Sequence, residues 1–487
     1  MFRENKSITY LYIVSHLGIF FITDAIYWDD WEIFNTPKEE IFNMFSQAGS
    51  FVPFTPYLHS YLLPIGPWSY RILTFVLFFV ITYLFDKIIL NSKLVNDETR
   101  YVLVLFFTIL PFNIARVALI NFPYTVCLTL FFLAWRYKHI RYISLPLFFL
   151  SFATNSLPFF YVIVMAHFYY EFAKDFKWGT ILKFVKSRLD YLLLPIVYFA
   201  IKYTYYVPYG DFEGYNGSFS LYNLVKGPIW QVFDLAKLFS IMEINMVLFI
   251  VLFLVISYFL PVFKEINQFT YNTKNILILG IVSLLVCLFP YWIIGKFPTF
   301  TDWESRHQIL MPFGVSIILG SIYCCFNTLN KKIFLILMST ISVTINVTNY
   351  FELFIDWNKQ KNLVLALNNS ELNLVHKTVY IQDNTFNVWD RTYRNYEWEG
   401  LLRSSSNRLI YSFSTVKSSA SIKGVDKKGC INKECIFIYI DYEKKGEILR
   451  HRIDQSLFDD NFRTVIKTLE KFKSYMYPRV LLKEYSD

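Results

Sequence analysis

The sequence predicts a polytopic α-helical membrane protein with about eleven transmembrane helices and a C-terminal soluble α/β domain on the outer face. Three observations carry that expectation. The 487-residue chain is 55% hydrophobic and 20% aromatic, and only 17% of it is charged, too little polar surface to cover a soluble domain. Runs free of Asp, Glu, Lys and Arg recur at 8–23, 72–85, 101–115, 117–135, 142–170, 191–201, 244–263, 275–295, 308–330 and 333–351. Many approach the about 20 residues that a helix needs to cross a bilayer. The polar region 352–487 then follows without another such run.

Charge sets the sidedness. Lys and Arg collect in loops that stay on the cytoplasmic side. Arg136, Lys138 and Arg141 form one basic loop, and Lys174, Lys177, Lys183, Lys186 and Arg188 form another. Both on the inside require the run 142–170 to cross twice or to enter and return. Pro146, Asn155 and Pro158 put its break near 154–158, because Pro removes a rung of the helical ladder. The run 101–135 turns likewise around 113–123. Arg3 and Lys6 keep the N-terminus inside, and its first apolar run reads as a retained helix rather than a cleaved leader. Lys331 and Lys332 fall inside as well. The loops 25–70, 207–243 and 296–306 then lie outside. The first of these is acidic, with Asp29, Asp30, Glu32, Glu39 and Glu40 against Lys38. The net charge of +9 follows from this loop asymmetry, and no basic stripe points to nucleic acid.

The chain therefore divides into a membrane domain, 1–351, and an extracytoplasmic soluble domain, 352–487. Segments rich in β-branched and aromatic residues predict strands at 378–383, 408–414 and 435–441. Helical periodicity marks 352–369 and 459–475. Cys127, Cys287, Cys324 and Cys325 lie in apolar segments and read as packing residues. Cys430 and Cys435 lie in a polar region and are a candidate local disulfide if that region is outside.

Chemistry concentrates in a few places. Trp28-Asp29-Asp30-Trp31 follows the first helix. An interfacial aromatic belt accounts for Tyr27, Trp28 and Trp31. It leaves two adjacent carboxylates at the membrane edge unexplained, a pattern suited to a general base. Asp24 is a weaker candidate in the same place. The segment 297–307 ends in Glu304-Ser305-Arg306-His307. Arg306 with His307 can hold a phosphate through charge-assisted bonds, or Arg306 can pair with Glu304 or Asp302 as a plain surface ion pair. Arg116 sits in the 113–123 turn, where an ionisable group within an apolar hairpin suggests function, with snorkelling to the interface as the alternative. Lys202 is similar, near the outer end of its helix. His59 and Arg71 flank an apolar stretch and read first as structural. No Walker loop, Rossmann turn or Gly-x-Ser-x-Gly elbow is present, and no His or Cys stands near His307 at metal-ligand spacing.

This layout resembles the GT-C superfamily of integral membrane glycosyltransferases. The resemblance rests on the cytoplasmic N-terminus, the acidic first outer loop, about eleven helices and the outer C-terminal domain. It is nearest to bacterial members of surface-polysaccharide and O-antigen modification type at Trp28-Asp29-Asp30-Trp31, at Ser305-Arg306-His307-Gln308-Ile309-Leu310-Met311-Pro312, and at Arg391-Thr392-Tyr393-Arg394-Asn395-Tyr396-Glu397-Trp398. It implies transfer of a sugar from a polyprenyl-phosphate donor to a glycan, lipid or protein acceptor, in a bacterial cytoplasmic membrane. It assigns the base to Asp29 or Asp30 and the donor phosphate to Arg306, His307 and Arg116. Trp28, Trp31, His59, Glu304 and Lys202 remain as candidate substrate contacts. The family often has Asp-x-Asp or Asp-Glu where this chain has adjacent Asp-Asp, so a divalent metal stays open as a cofactor. Rival readings are a flippase or transporter for a lipid-linked glycan, which would place its ionisable groups mid-membrane, a polysaccharide polymerase or ligase, and a membrane sensor.

Overall fold

The computed structural model describes residues 2–34, 36–50, 55–173, 177–214, 219–241, 246–260, 273–300, 302–368, 378–383, 391–406, 435–442 and 478–483. These form seventeen α-helices, short 3-10 turns and three strands. The helices are α1 (Phe2–His16), α2 (Asp30–Phe34), α3 (Lys38–Gln47), α4 (Thr55–Leu62), α5 (Pro67–Ser92), α6 (Asp97–Ile109), α7 (Phe122–Arg136), α8 (Arg141–Ser151) and α9 (Leu157–Phe172). They continue with α10 (Trp178–Ser187), α11 (Leu189–Tyr205), α12 (Tyr222–Ile241), α13 (Met246–Phe259), α14 (Thr273–Trp292), α15 (Met311–Cys324), α16 (Thr328–Asn368) and α17 (Asn395–Ser406).

Four stretches, Pro67–Ser92, Leu119–Arg136, Thr273–Trp292 and Thr328–Leu365, are long and apolar enough to cross a membrane. Four shorter apolar helices, Lys6–Ile22, Leu157–Phe172, Met246–Phe259 and Met311–Cys324, accompany them. Among the described residues, length and composition thus give four spans where the charge gaps led us to expect about eleven. The reason is visible in the run 142–170. It breaks at 152–156 into α8, of 11 residues, and α9, of 16 residues. At about 1.5 Å per residue, neither reaches the about 30 Å of a hydrocarbon core. The run 101–135 breaks as well, through the 3-10 turns Ile114–Val117 and Leu119–Asn121, with Asn113 left-handed at φ 55°.

Local signals explain the helix starts. Asn96 caps α6 by accepting from the Thr99 amide at 2.8 Å, with Asp97 and Glu98 in the first turn. Pro67 and Pro123 stand in the first turns of α5 and α7, where a missing N–H costs nothing.

The chain forms two compact units. The first comprises Met1–Thr23, Thr36–Ile244 and Leu248–Val347. Its core is aromatic: Phe85 and Phe107 lie 4.3 Å apart, Phe160 and Phe313 5.0 Å, and Trp135 and Phe313 5.8 Å, by ring centroids. Helices α14 and α15 pack backbone to backbone. A Cβ on Gly314 would come within 2.7 Å of the Leu284 amide, and one on Gly280 within 2.9 Å of the Ile318 amide. Small residues on both partners permit that approach, which drives association where lipid removes the hydrophobic incentive. Asn346 adds a polar tie, donating to Ser15 Oγ and to the Ile109 carbonyl, each at 2.7 Å.

The second unit comprises Asp24–Asn35, Asn245–Val247 and Thr348–Asp487, so the acidic segment of the first loop belongs with the C-terminal region. The expected helix 352–369 is not separate. It is the end of α16, because nothing between Phe351 and Asp356 breaks a helix. The strands β1 (Thr378–Asp383), β2 (Cys435–Tyr442) and β3 (Pro478–Lys483) form one sheet in that order. Strands β1 and β2 run parallel with Thr378 opposite Cys435, and β2 and β3 run antiparallel with Phe437 opposite Lys483. The expected strand 408–414, the helix 459–475 and the Cys430–Cys435 pair lie outside the described residues, the last because Cys430 does.

Candidate functional site

In the second unit the acidic segment folds into a tight turn. The amides of Asp30, Trp31 and Glu32 donate to the carbonyls of Tyr27, Trp28 and Asp29 at 2.9, 3.2 and 3.1 Å. Trp28 takes a left-handed backbone at φ 51°, which costs a non-glycine residue about 1–3 kcal/mol. Packing offsets that strain, since Trp28 is 1% exposed and the Tyr27 hydroxyl donates to the Leu353 carbonyl at 2.7 Å. The two carboxylates separate by environment. Asp30 is fully buried and its Oδ2 accepts from the Tyr27 amide at 3.2 Å. Asp29 is half-buried, and its Oδ1 accepts from the Tyr396 hydroxyl.

Tyr396 is delivered by α17. Glu397, in the third position of that helix, accepts from the Arg394 amide at 2.8 Å, the reach-back half of a capping box. The same carboxylate accepts from Arg391 Nη1 at 2.7 Å. The turn and the helix meet at two further points. The Arg394 guanidinium lies 5.8 Å from the Trp28 ring centre. Gly400 lies against Trp31 so closely that a Cβ would come within 2.4 Å of the indole. Trp31 shares a small core with Ile26, Tyr393 and Leu401. An interfacial belt is therefore not what Trp28 and Trp31 form: both are buried inside this unit. Beneath them the Tyr393 hydroxyl donates to Asp356 Oδ1 at 2.6 Å, and Lys359 pairs with Asp383 at 2.6 Å.

Electrostatics follow from burial. Burial pushes the Tyr396 phenol upward, and the negative charge and hydrogen-bond acceptance of Asp29 push it further, so the phenol keeps its proton and donates. Burial pushes Glu397 up to about 7, against the opposing pull of Arg391 and the Arg394 amide.

In the first unit the 3-10 turn Trp303–Gln308 holds the second expected group. Arg306 donates from Nη2 to Glu304 Oε1 at 3.1 Å and from Nε to His307 Nε2 at 3.3 Å. His307 Nδ1 lies 2.9 Å from Glu304 Oε2. The Arg306–Glu304 pair expected at a surface exists, but its side chains are only 12% and 28% exposed. With Nε2 accepting and Nδ1 facing the carboxylate, His307 is a neutral imidazole. Burial lowers it to about 4, the Glu304 hydrogen bond opposing. Burial pushes Glu304 up, but the His307 hydrogen bond and the charges of Arg306 and Lys296 outweigh it and hold the carboxyl at about 2. Burial, then Arg306, lowers Lys296 to about 8.

Arg116 is tied to the same turn. The Ala115 amide donates to Ser305 Oγ at 3.0 Å and the Asn113 amide to Gln308 Oε1 at 3.1 Å. Arg116 is 4% exposed, so it does not snorkel. It donates to His16 Nδ1 at 2.8 Å, and its guanidinium stands 4.2 Å from the Phe78 ring centre. His16 in turn donates from Nε2 to the Thr108 carbonyl at 3.0 Å, which fixes the neutral tautomer. His59 is fully buried, stacked on Phe45 with Nδ1 3.0 Å from the Tyr70 hydroxyl. Arg71 is also buried, and its Nε donates to the Ile22 carbonyl at 3.4 Å. Lys202 donates to Asn155 Oδ1, and Asp24 is exposed.

Expected residues therefore fall into two groups, each inside its own unit. Asp29, Asp30, Trp28 and Trp31 gather with α17; Arg116, Glu304, Arg306 and His307 gather around two 3-10 turns. Lys296 and His16 were not singled out from the sequence, and Arg394, Tyr396 and Glu397 only as letters of a motif. A Glu three residues after Arg394 was the available sign of a helix start there. Among the described residues no group of three or more His, Cys, Asp or Glu is placed to hold a metal ion, and the two adjacent aspartates bond to different partners. No protein-family model, curated protein or solved structure matches the chain.

Proposed function

We propose that the chain is an integral membrane glycosyltransferase of GT-C type, with Asp29 as its general base. The supporting observation is the Asp29 carboxylate itself: half-buried, and already accepting a hydrogen bond from a hydroxyl, the contact an acceptor sugar must make before losing its proton. Asp30 is enclosed and serves the turn. In the reaction the acceptor O–H gives its proton to Asp29 while its oxygen bonds the anomeric carbon. The bond from that carbon to the phosphate oxygen breaks, and polyprenyl phosphate leaves with the electron pair. This reading keeps the N-terminus inside, about eleven membrane-crossing or membrane-entering helices, and region 352–487 outside as an α/β domain.

The test compares surface glycans by mass spectrometry in cells carrying wild type, Asp29→Asn or Asp30→Asn. Asp29→Asn is expected to lose one sugar from the glycan at unchanged expression and melting temperature. Asp30→Asn is expected to act mainly by lowering stability. An unaltered glycan with Asp29→Asn overturns the assignment.

A further inference from the structure

Helix α10 is short and two-sided. Phe184 is buried against Tyr169 and Phe172, at 5.2 and 5.6 Å between ring centres. Trp178 and Leu182, one turn apart, remain 73% and 44% exposed. Lys183 and Lys186 are exposed on the adjoining face and have no ion-pair partner among the described residues. The described acids nearby are already engaged: Glu171 pairs with Lys138 at 2.6 Å and Asp190 with Arg141 at 3.2 Å. Arg188, at the end of the helix, lies over Phe168 and Tyr191 at 5.7 and 5.6 Å. Beyond it α11 turns a second apolar strip outward, with Leu193, Ile196 and Val197 at 43%, 63% and 47% exposure.

We propose that α10 lies in the membrane interface and seats anionic phospholipid headgroups on Lys183 and Lys186, with Trp178 and Leu182 set into the acyl boundary. An exposed Trp and Leu beside lysines is the composition of a helix lying in the interfacial plane. The change from lysines on α10 to bare apolar residues on α11 puts the headgroup level at the junction of the two helices. Two lysines without acidic partners among the described residues supply the complementary charge, and an anionic leaflet favours each of them. This inference rests on membrane embedding alone and holds whether or not the chain transfers sugars.

The test uses the full chain in nanodiscs containing phosphatidylcholine with a minority of phosphatidylglycerol, one or the other lipid carrying brominated chains. The fluorescence difference between wild type and Trp178→Phe isolates Trp178. Brominated phosphatidylglycerol is expected to quench Trp178 more than its bulk share predicts, with local enrichment of about fivefold for each lysine. Lys183→Gln with Lys186→Gln is expected to remove the preference, and Lys183→Glu with Lys186→Glu to reverse it. These exposed changes leave the core untouched, so the melting temperature serves as the folding control. Equal quenching by both lipids in wild type, no quenching by either, or a preference that survives loss of both lysines each overturns the proposal.

Discussion

The hydroxyl of Tyr396 donates a hydrogen bond to Oδ1 of Asp29 across 367 residues of chain. A bond to a carboxylate is worth about 1.5–3 kcal/mol net. Tyr396→Phe is therefore expected to lower stability by about that amount in detergent-solubilised protein. In a double-mutant cycle with Asp29→Ala, which removes the acceptor, the second change should cost little once the first is made. Additive losses in thermal or denaturant unfolding would show that the two side chains do not interact.

Gly400 is the point where α17 can approach Trp31 most closely, since any Cβ there would come within 2.4 Å of the indole. Gly400→Val is expected to destabilise by about 1–3 kcal/mol through overpacking. Trp31→Phe should recover part of the loss by vacating that space. Thermal melting of the two single variants and the pair checks this, and a fully stable Gly400→Val protein refutes the close packing.

The Glu304–Arg306–His307 cluster makes the fold acid-sensitive. His307 is lowered from 6.5 to about 4, and Glu304 from 4.5 to about 2. Groups depressed in the folded state add stability above their unfolded values and lose it as pH falls through their folded ones. His307 thus acts between pH 6.5 and about 4, with a loss on the order of 3 kcal/mol across that window. Glu304 continues the loss below 4.5, towards about 2. Melting temperature measured against pH should fall on acidification, and His307→Asn should flatten the upper part of the slope. An unchanged profile in His307→Asn would remove the imidazole from the account.

Composition and charge gaps were enough to find the apolar helices and the breaks inside 101–135 and 142–170, because Pro, Asn and missing charge act locally. The strands 378–383 and 435–441 were legible for the same reason, through alternating β-branched and aromatic residues. Strand β3 was not, since it begins at Pro478 and carries Arg479 and Lys483. Fewer stretches than expected are long and apolar enough to cross a membrane, four among the described residues, because a gap in charge says nothing about where a helix stops inside it. The acidic pair was found, but its two members looked alike on paper.

What the sequence determined by itself is which segments avoid water and which residue types are chemically suited to act. The tertiary structure decided which partner each reaches. It closed Asp30 on the Tyr27 amide, gave Asp29 to Tyr396, buried both tryptophans of the motif and turned Arg306 onto Glu304 and His307. The physical reason is range. Hydropathy and turn propensity belong to a residue and its neighbours along the chain. A hydrogen bond between residues 29 and 396, or the space that only a glycine at 400 leaves for an indole at 31, exists only after distant segments have packed.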